Sequence, residues 1–190
     1  MRCGPLAAAL LAAGAPVLVA GCAYDPADAF ASAEAVATTD LAGVAPPDDA
    51  QPVEVVRVVD GDTVVVDGDP GPVLPDGGET RVRLLLVDTP EVDGPNAEEE
   101  CLGPEASAYA EELMPPGSRL LLAPDEELLD DFDRTLAYAW TEDGRFVNEL
   151  LVANGLAYAV VFPPNDEHIE AVLDAEDRAR TARLGVWGSC

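Results

Sequence analysis

The chain holds 190 residues, 37 of them acidic and 10 basic, for a formal charge of −27. That length suits one domain with a sizeable core and is too short for two large ones joined by linkers. All ten basic residues are arginine, and so acidic a composition argues against a nucleic-acid partner held by a general basic surface, because phosphate binding rests on Lys and Arg neutralising it.

The pattern suits a saline habitat, where the Debye length shrinks to about 3 Å at 1 M salt and self-repulsion fades. A GC-rich coding bias toward Ala, Gly, Arg, Pro and Val would equally leave out lysine. At the N-terminus, Arg2 precedes an apolar, Ala/Leu-rich run over residues 6–20. The run falls short of the ~20 apolar residues that a spanning helix needs, so residues 1–21 are expected to be a secretory signal. It ends in Val19-Ala20-Gly21-Cys22, which resembles the lipobox of bacterial lipoproteins. The resemblance implies a lipid on Cys22, attachment to a membrane through it, and an extracytoplasmic location. Without residues 1–21 the charge becomes −28, since Arg2 is lost and no acid is.

Residues 22–50 are rich in Ala, Asp, Thr and Pro and show no sustained period, so they read as a flexible tether. The domain proper is expected over 51–190. With Cys3 in the signal and Cys22 lipidated, Cys101 and Cys190 remain in an oxidising compartment, either as a disulfide or as two unrelated thiols. A bridge there would close about 90 residues and be worth up to ~4 kcal/mol in the chain-entropy model.

Within the domain, apolar runs at 53–59 and 63–66 flank Asp60-Gly61-Asp62, a tight-hairpin signal. Residues 74–80 form a second turn, and a strand is expected over 81–87. Alternation there sets Arg81, Arg83, Leu85 and Val87 on one face and Val82, Leu84, Leu86 and Asp88 on the other; Pro90 ends the pairing. A helix opens at Pro104, a residue suited to the first helical position, with Ala106, Tyr109, Ala110 and Leu113 as its apolar stripe. Strands are expected at 119–123 and 136–141, and a short helix at 147–154, stopped by Gly155. A longer helix capped by Pro164-Asn165-Asp166 carries Ile169, Val172 and Leu173, and Gly185 closes it. Five short strands with an intervening helix give an α+β class: an OB-type five-stranded barrel with about three packed helices.

The chemistry concentrates in RLLLVDTPE at residues 83–91. An unpaired guanidinium inside an apolar strand is costly, so Arg83 requires an anionic partner, fixed or incoming. Asp62, Asp88 and Glu91 sit at strand ends beside turns. Such acids are hard oxygen donors suited to Ca²⁺ or Mg²⁺ rather than zinc, although turns also collect Asp for local hydrogen bonding. His168 lies outside any motif, and Trp140 and Trp187 read as core aromatics.

Five segments in order then resemble one family: Val59-Asp60-Gly61-Asp62-Thr63-Val64; RLLLVDTPE; Gly103-Pro104-Glu105-Ala106-Ser107-Ala108; Asp133-Arg134-Thr135-Leu136-Ala137-Tyr138; and Val147-Asn148-Glu149 with Asn154-Gly155-Leu156-Ala157. Together they are similar to the staphylococcal nuclease (thermonuclease) family over residues 53–187. The resemblance implies an OB-fold barrel with helices packed on it and Ca²⁺-dependent hydrolysis of DNA and RNA. It also implies that Asp62 and Asp88 bind calcium through carboxylates and Thr89 through its carbonyl. Glu91 would activate or position the attacking water, and Arg83 and Arg134 would hold the phosphate.

The sequence departs from the family pattern in places. The loop after Glu91 is acidic where that of the family's best-known member is basic. Val160 and Phe162 stand where it has two tyrosines, with Phe162 either a base-stacking group or core, and Phe132 replaces a third. The rival functions are a catalytically weak or inactive nuclease-like module that binds nucleic acid or protein, and a calcium-binding surface lipoprotein. No segment marks an obligate protein partner.

Overall fold

The computed structural model describes residues 43–92 and 100–190. The signal, Cys22, most of the tether and residues 93–99 of the acidic loop lie outside the described residues.

β1 (Gln51–Val58) alternates buried and exposed side chains as a half-buried strand does and pairs antiparallel with β2 (Thr63–Asp67). β2 pairs antiparallel with β3 (Thr80–Leu84), placing Thr63 opposite Arg83. β5 (Arg119–Ala123) and β6 (Thr135–Thr141) form the next antiparallel pair. A parallel β3–β6 ladder and an antiparallel β1–β5 ladder close the barrel in the order β1-β2-β3-β6-β5. Closure removes the exposed edges that an open sheet of this size would present.

Val55, Val64, Val66, Val82, Leu84, Leu120 and Leu122 fill the interior and are all but inaccessible. α1 (Gly103–Leu113) buries Ala106, Ala110 and Leu113, and α2 (Val147–Ala153) is buried along its whole length. α3 (Ile169–Ala182) turns Val172, Ala175 and Ala179 inward, while the short α4 (Val186–Ser189) follows the left-handed Arg183. Three substantial helices and a final turn therefore pack on the five-stranded barrel. Among the described residues no helix is long and apolar enough to cross a membrane.

Four local features differ from the expectations. The strand expected over 81–87 stops at Leu84, a turn at residues 85–86 puts Leu86 at φ 63°, and β4 (Val87–Asp88) leaves the barrel to pair with β7 (Tyr158–Ala159). The face alternation expected beyond Leu84 therefore fails: Leu85, Leu86 and Val87 are all buried while Asp88 is exposed. Asn165 does not cap the last long helix, which begins at Ile169. Its carboxamide instead brackets Glu127, accepting from the Glu127 amide at 2.8 Å and donating to the carbonyl at 2.9 Å. Leu173 is half exposed rather than core. Trp140 is fully buried, but Trp187 is only half-buried, with the Arg180 guanidinium 4.2 Å from its ring centre.

Val44 packs against the barrel. The Trp140 indole donates to the Val44 carbonyl at 2.7 Å, so packing begins before Gln51.

Candidate active site

One cleft of about 540 Å³ opens where β2, β3, β4, the loop before β6 and the chain after β7 meet. Asp62, Arg83, Asp88, Glu91, Arg134, Val160 and Phe162 all line it, with Phe132 beside them. Thr89 does not. It stands behind Asp62, donating its amide at 2.9 Å and its hydroxyl at 3.1 Å to Asp62 Oδ2.

The turn at 85–86 organises the cluster. By reversing the chain it brings Asp88 back over Arg83, a contact that a straight strand would have prevented. Arg83 Nη1 donates to the carbonyls of Leu84 at 2.9 Å and Val87 at 2.7 Å, bracketing the turn from inside. Arg83 Nη2 lies 3.1 Å from Asp62 Oδ2 and 3.1 Å from Asp88 Oδ1. The partner that the sequence required of Arg83 is therefore fixed, and it is double. Asn148 on α2 holds the turn from outside, its Nδ2 donating to the Leu85 carbonyl at 2.7 Å while its Oδ1 accepts the Ala139 amide at 3.0 Å.

Asp62 is buried, and burial pushes its carboxyl up to about 6 against the opposing pull of Arg83 and the Thr89 amide. A desolvated carboxylate whose charge is only partly compensated favours an added cation. Gly61 makes the arrangement possible, because a Cβ there would stand 2.7 Å from three side-chain atoms of Thr89. Any other residue would push the Asp60-Gly61-Asp62 turn away from Thr89.

Arg134 enters from the opposite wall. Its Nε donates to Asp130 Oδ2 at 2.7 Å, and Asp130 Oδ1 accepts the amides of Phe132 at 2.9 Å and Arg134 at 2.8 Å. Burial would raise the Asp130 carboxyl, but these hydrogen bonds outweigh it and the pKa is lowered. The Arg134 guanidinium carbon also lies 5.6 Å from the Phe132 ring centre. Asp130 was missed in the sequence because it sits in an acid-rich loop where one aspartate resembles the next. Its spacing four residues before an arginine is the only signal.

Glu91 is exposed at the cleft mouth. Phe162 and Phe132 are 74% and 79% exposed, so neither is a core residue. Cys101 and Cys190 are joined, their Cα atoms 6.1 Å apart.

A closed five-stranded barrel of this strand order, with Asp62, Asp88, Arg83 and Arg134 gathered at one mouth, defines an OB-type domain. The chain belongs to the staphylococcal nuclease family: residues 81–189 match the family described as "Staphylococcal nuclease homologue". Over 133 residues it is 38% identical to a thermonuclease of Staphylococcus intermedius, a match covering 70% of this chain and 74% of that protein. A thermonuclease of Staphylococcus hyicus is 34% identical over 139 residues, covering 73% and 77% of the two chains. Endonuclease YncB of Bacillus subtilis (strain 168) is 36% identical over 132 residues, which span 69% of this chain and 59% of that one.

Proposed function

We propose that the protein is a Ca²⁺-dependent nuclease that hydrolyses phosphodiester bonds of DNA, RNA or both outside the cytoplasm. The observation that carries this reading is the convergence of Asp62 Oδ2 and Asp88 Oδ1 on one Arg83 nitrogen, each at 3.1 Å, in a cleft that also holds Arg134 and Glu91.

The donor set suits calcium, which takes six to eight oxygen ligands and tolerates irregular geometry. The Asp62 and Asp88 carboxylates and the Thr89 carbonyl would hold it, with water and phosphate completing the shell. Among the described residues no group of three or more His, Cys, Asp or Glu is gathered for a metal. Calcium, when bound, supplies Lewis-acid polarisation of a phosphoryl oxygen and offsets the charge of the acids around it.

The remaining chemistry belongs to the side chains. A water oxygen bonds to phosphorus as the bond to the leaving oxygen breaks, Glu91 takes the water's proton, and the leaving oxygen takes up a proton from solvent. Negative charge grows on the equatorial oxygens in that transition state. Arg83 and Arg134, planar and always charged, face it from two walls and stabilise it more than the ground state. Arg83 is already oriented by two backbone carbonyls and Arg134 by Asp130, so little reorganisation is needed when the phosphate arrives.

The test is digestion of plasmid, single-stranded DNA and RNA by the chain lacking residues 1–22, with CaCl₂ or EDTA. Calcium-dependent cleavage is expected, falling on the order of 10²- to 10³-fold in Arg83→Ala and in Glu91→Ser. A folded protein that binds calcium and cleaves nothing would instead be a binding module. Attachment through lipid on Cys22 is tested separately, by fatty-acid labelling that Cys22→Ala should abolish.

A further inference from the structure

The residue assigned to the water leans on the entrance of α1. Gly103 opens that helix. A Cβ on it would collide with the Glu91 carbonyl and would stand 3.2 Å from the Pro90 oxygen, so the backbone at 90–91 lies directly on the first helical turn. Glu100 makes a reciprocal contact: its amide donates to the Glu91 carbonyl at 3.0 Å, and its Oε2 accepts the Glu91 amide at 3.3 Å. The next residue, Cys101, is joined to Cys190, 89 positions away.

Cys190 follows α4, and α4 is keyed to the end of α2. The Val186 amide donates to the Gly155 carbonyl at 2.9 Å, and a Cβ on Gly155 would collide with the Leu184 carbonyl. α2 also carries Asn148, which holds the Leu85 carbonyl. Both ends of the segment from Leu85 to Glu91 are thus referenced to one buried helix, the near end by a hydrogen bond and the far end through the disulfide. Asp62 and Arg83 are set by β2 and β3, and Asp88 by its pairing with Tyr158. Among the described residues none of the three is held by residues 100–103, and Tyr158 also packs edge-on against Trp187 of α4, ring centres 5.3 Å apart.

We propose that the Cys101–Cys190 disulfide is a positioning device for Glu91, so that its redox state sets the rate of the chemical step while leaving calcium and substrate binding in place. The proposal rests on Glu91 handling the attacking water. Two-electron reduction of the bridge by a phosphine, which leaves as its oxide while Cys101 and Cys190 take up two protons as thiols, frees residues 100–102 from α4, and the Glu91 backbone loses part of the surface that fixes it. A carboxylate displaced by about 1 Å from its water costs up to about a hundredfold in rate.

The experiment compares the oxidised chain lacking residues 1–22 with the same protein reduced by a phosphine, with Cys101→Ser/Cys190→Ser, and with Glu100→Ala. Each is assayed for kcat and KM on single-stranded DNA in excess calcium and for calcium affinity, at a temperature where circular dichroism shows it folded. Loss of the bridge should lower kcat about tenfold to a hundredfold with KM and calcium affinity within about twofold. Glu100→Ala, at an exposed residue, should lower kcat about threefold to tenfold without shifting the melting temperature, and it carries the test if the bridge-free variant fails to fold. Unchanged kcat in the folded variants would overturn the proposal. So would a parallel fall of kcat and calcium affinity, which marks a merely structural bridge. An oxidised protein that cleaves nothing would take down the nuclease reading as well, whereas cleavage indifferent to the bridge removes only this inference.

Discussion

Arg83 Nη2 and Asp62 Oδ2 stand 3.1 Å apart with their side chains only 14% and 9% exposed, so Arg83 is the main compensation of the Asp62 charge in a nearly dry site. Removing one partner of such a pair strands the other charge and typically costs about 3–5 kcal/mol. Arg83→Ala should therefore destabilise the calcium-free protein by about 3 kcal/mol, because Asp62 keeps only the neutral donors of Thr89 and Thr63. Calcium should restore much of that loss by taking over the compensation, while cleavage stays lost at saturating calcium. Urea unfolding with and without CaCl₂ checks it; a stability loss indifferent to calcium would mean that Asp62 does not face the ion.

Asp130 braces the second guanidinium through three hydrogen bonds, two to backbone amides and one to Arg134 Nε. Asp130→Ala should lower kcat/KM at least about tenfold, since a freely rotating Arg134 no longer meets the transition state pre-oriented. The loop lies outside the barrel ladders, so thermal melting should move by only a few degrees. Activity retained in this variant would remove Arg134 from the phosphate clamp.

Most strands were readable because barrel closure demands what local pattern announces: alternation in β1, and Asp-Gly between apolar runs before β2. The turn at 85–86 was not. Leu84-Leu85-Leu86-Val87 contains no glycine, proline or polar residue, and Leu86 adopts φ 63° through bonds made elsewhere. Those bonds are the Leu85 amide to the Ala137 carbonyl, Asn148 on the Leu85 carbonyl, and Arg83 on both flanking carbonyls. Site residues on strand ends, such as Asp62 and Arg83, were visible as charges out of place in apolar surroundings. Asn148 acts on a partner 63 positions away in the sequence, and Asp130 is hidden among like residues, so no local period marks either. The cap expected at Pro164-Asn165-Asp166 failed for a related reason, because Asn165 satisfies Glu127 across the fold instead of the helix that begins at Ile169.

Phe162 is 74% exposed on the cleft wall, which turns the choice between stacking group and core residue into a measurable difference. Truncating a core phenylalanine costs about 3–5 kcal/mol; truncating an exposed one leaves stability within about 0.5 kcal/mol. Phe162→Ala should follow the second course and raise KM for single-stranded DNA about tenfold, the value of one lost base-stacking contact. An unchanged KM beside unchanged stability would leave Phe162 without a part in binding.

Among the described residues, seven carboxylates and two guanidiniums line the cleft. A polyanionic substrate must approach through that field, and exposed charges are screened once the Debye length falls from about 10 Å at 0.1 M salt to about 3 Å at 1 M. KM should therefore fall as NaCl rises from about 0.05 M toward about 1 M, opposite to the usual weakening of nucleic-acid binding by salt. Glu127→Lys with Asp131→Lys, which reverses two charges on the wall, should abolish that dependence. Activity falling monotonically across the series would show that the acids lie too far from the substrate path to matter.

His168 packs among Tyr138, Trp140 and Phe146, with ring centres 4.5, 5.8 and 5.5 Å away. Burial lowers its pKa from the ordinary value near 6.5, against the opposing influence of Glu167 and Asp125. With the folded-state pKa below the unfolded one, the unfolded chain binds the proton first. The histidine's contribution to stability is therefore intact above about pH 6.5 and is lost as pH falls through the depressed value. Between pH 7 and pH 5 the wild type should lose more stability than His168→Phe, which keeps the ring contacts and cannot titrate. Parallel melting curves for the two proteins across that window would show that the imidazole is already solvated in the folded state.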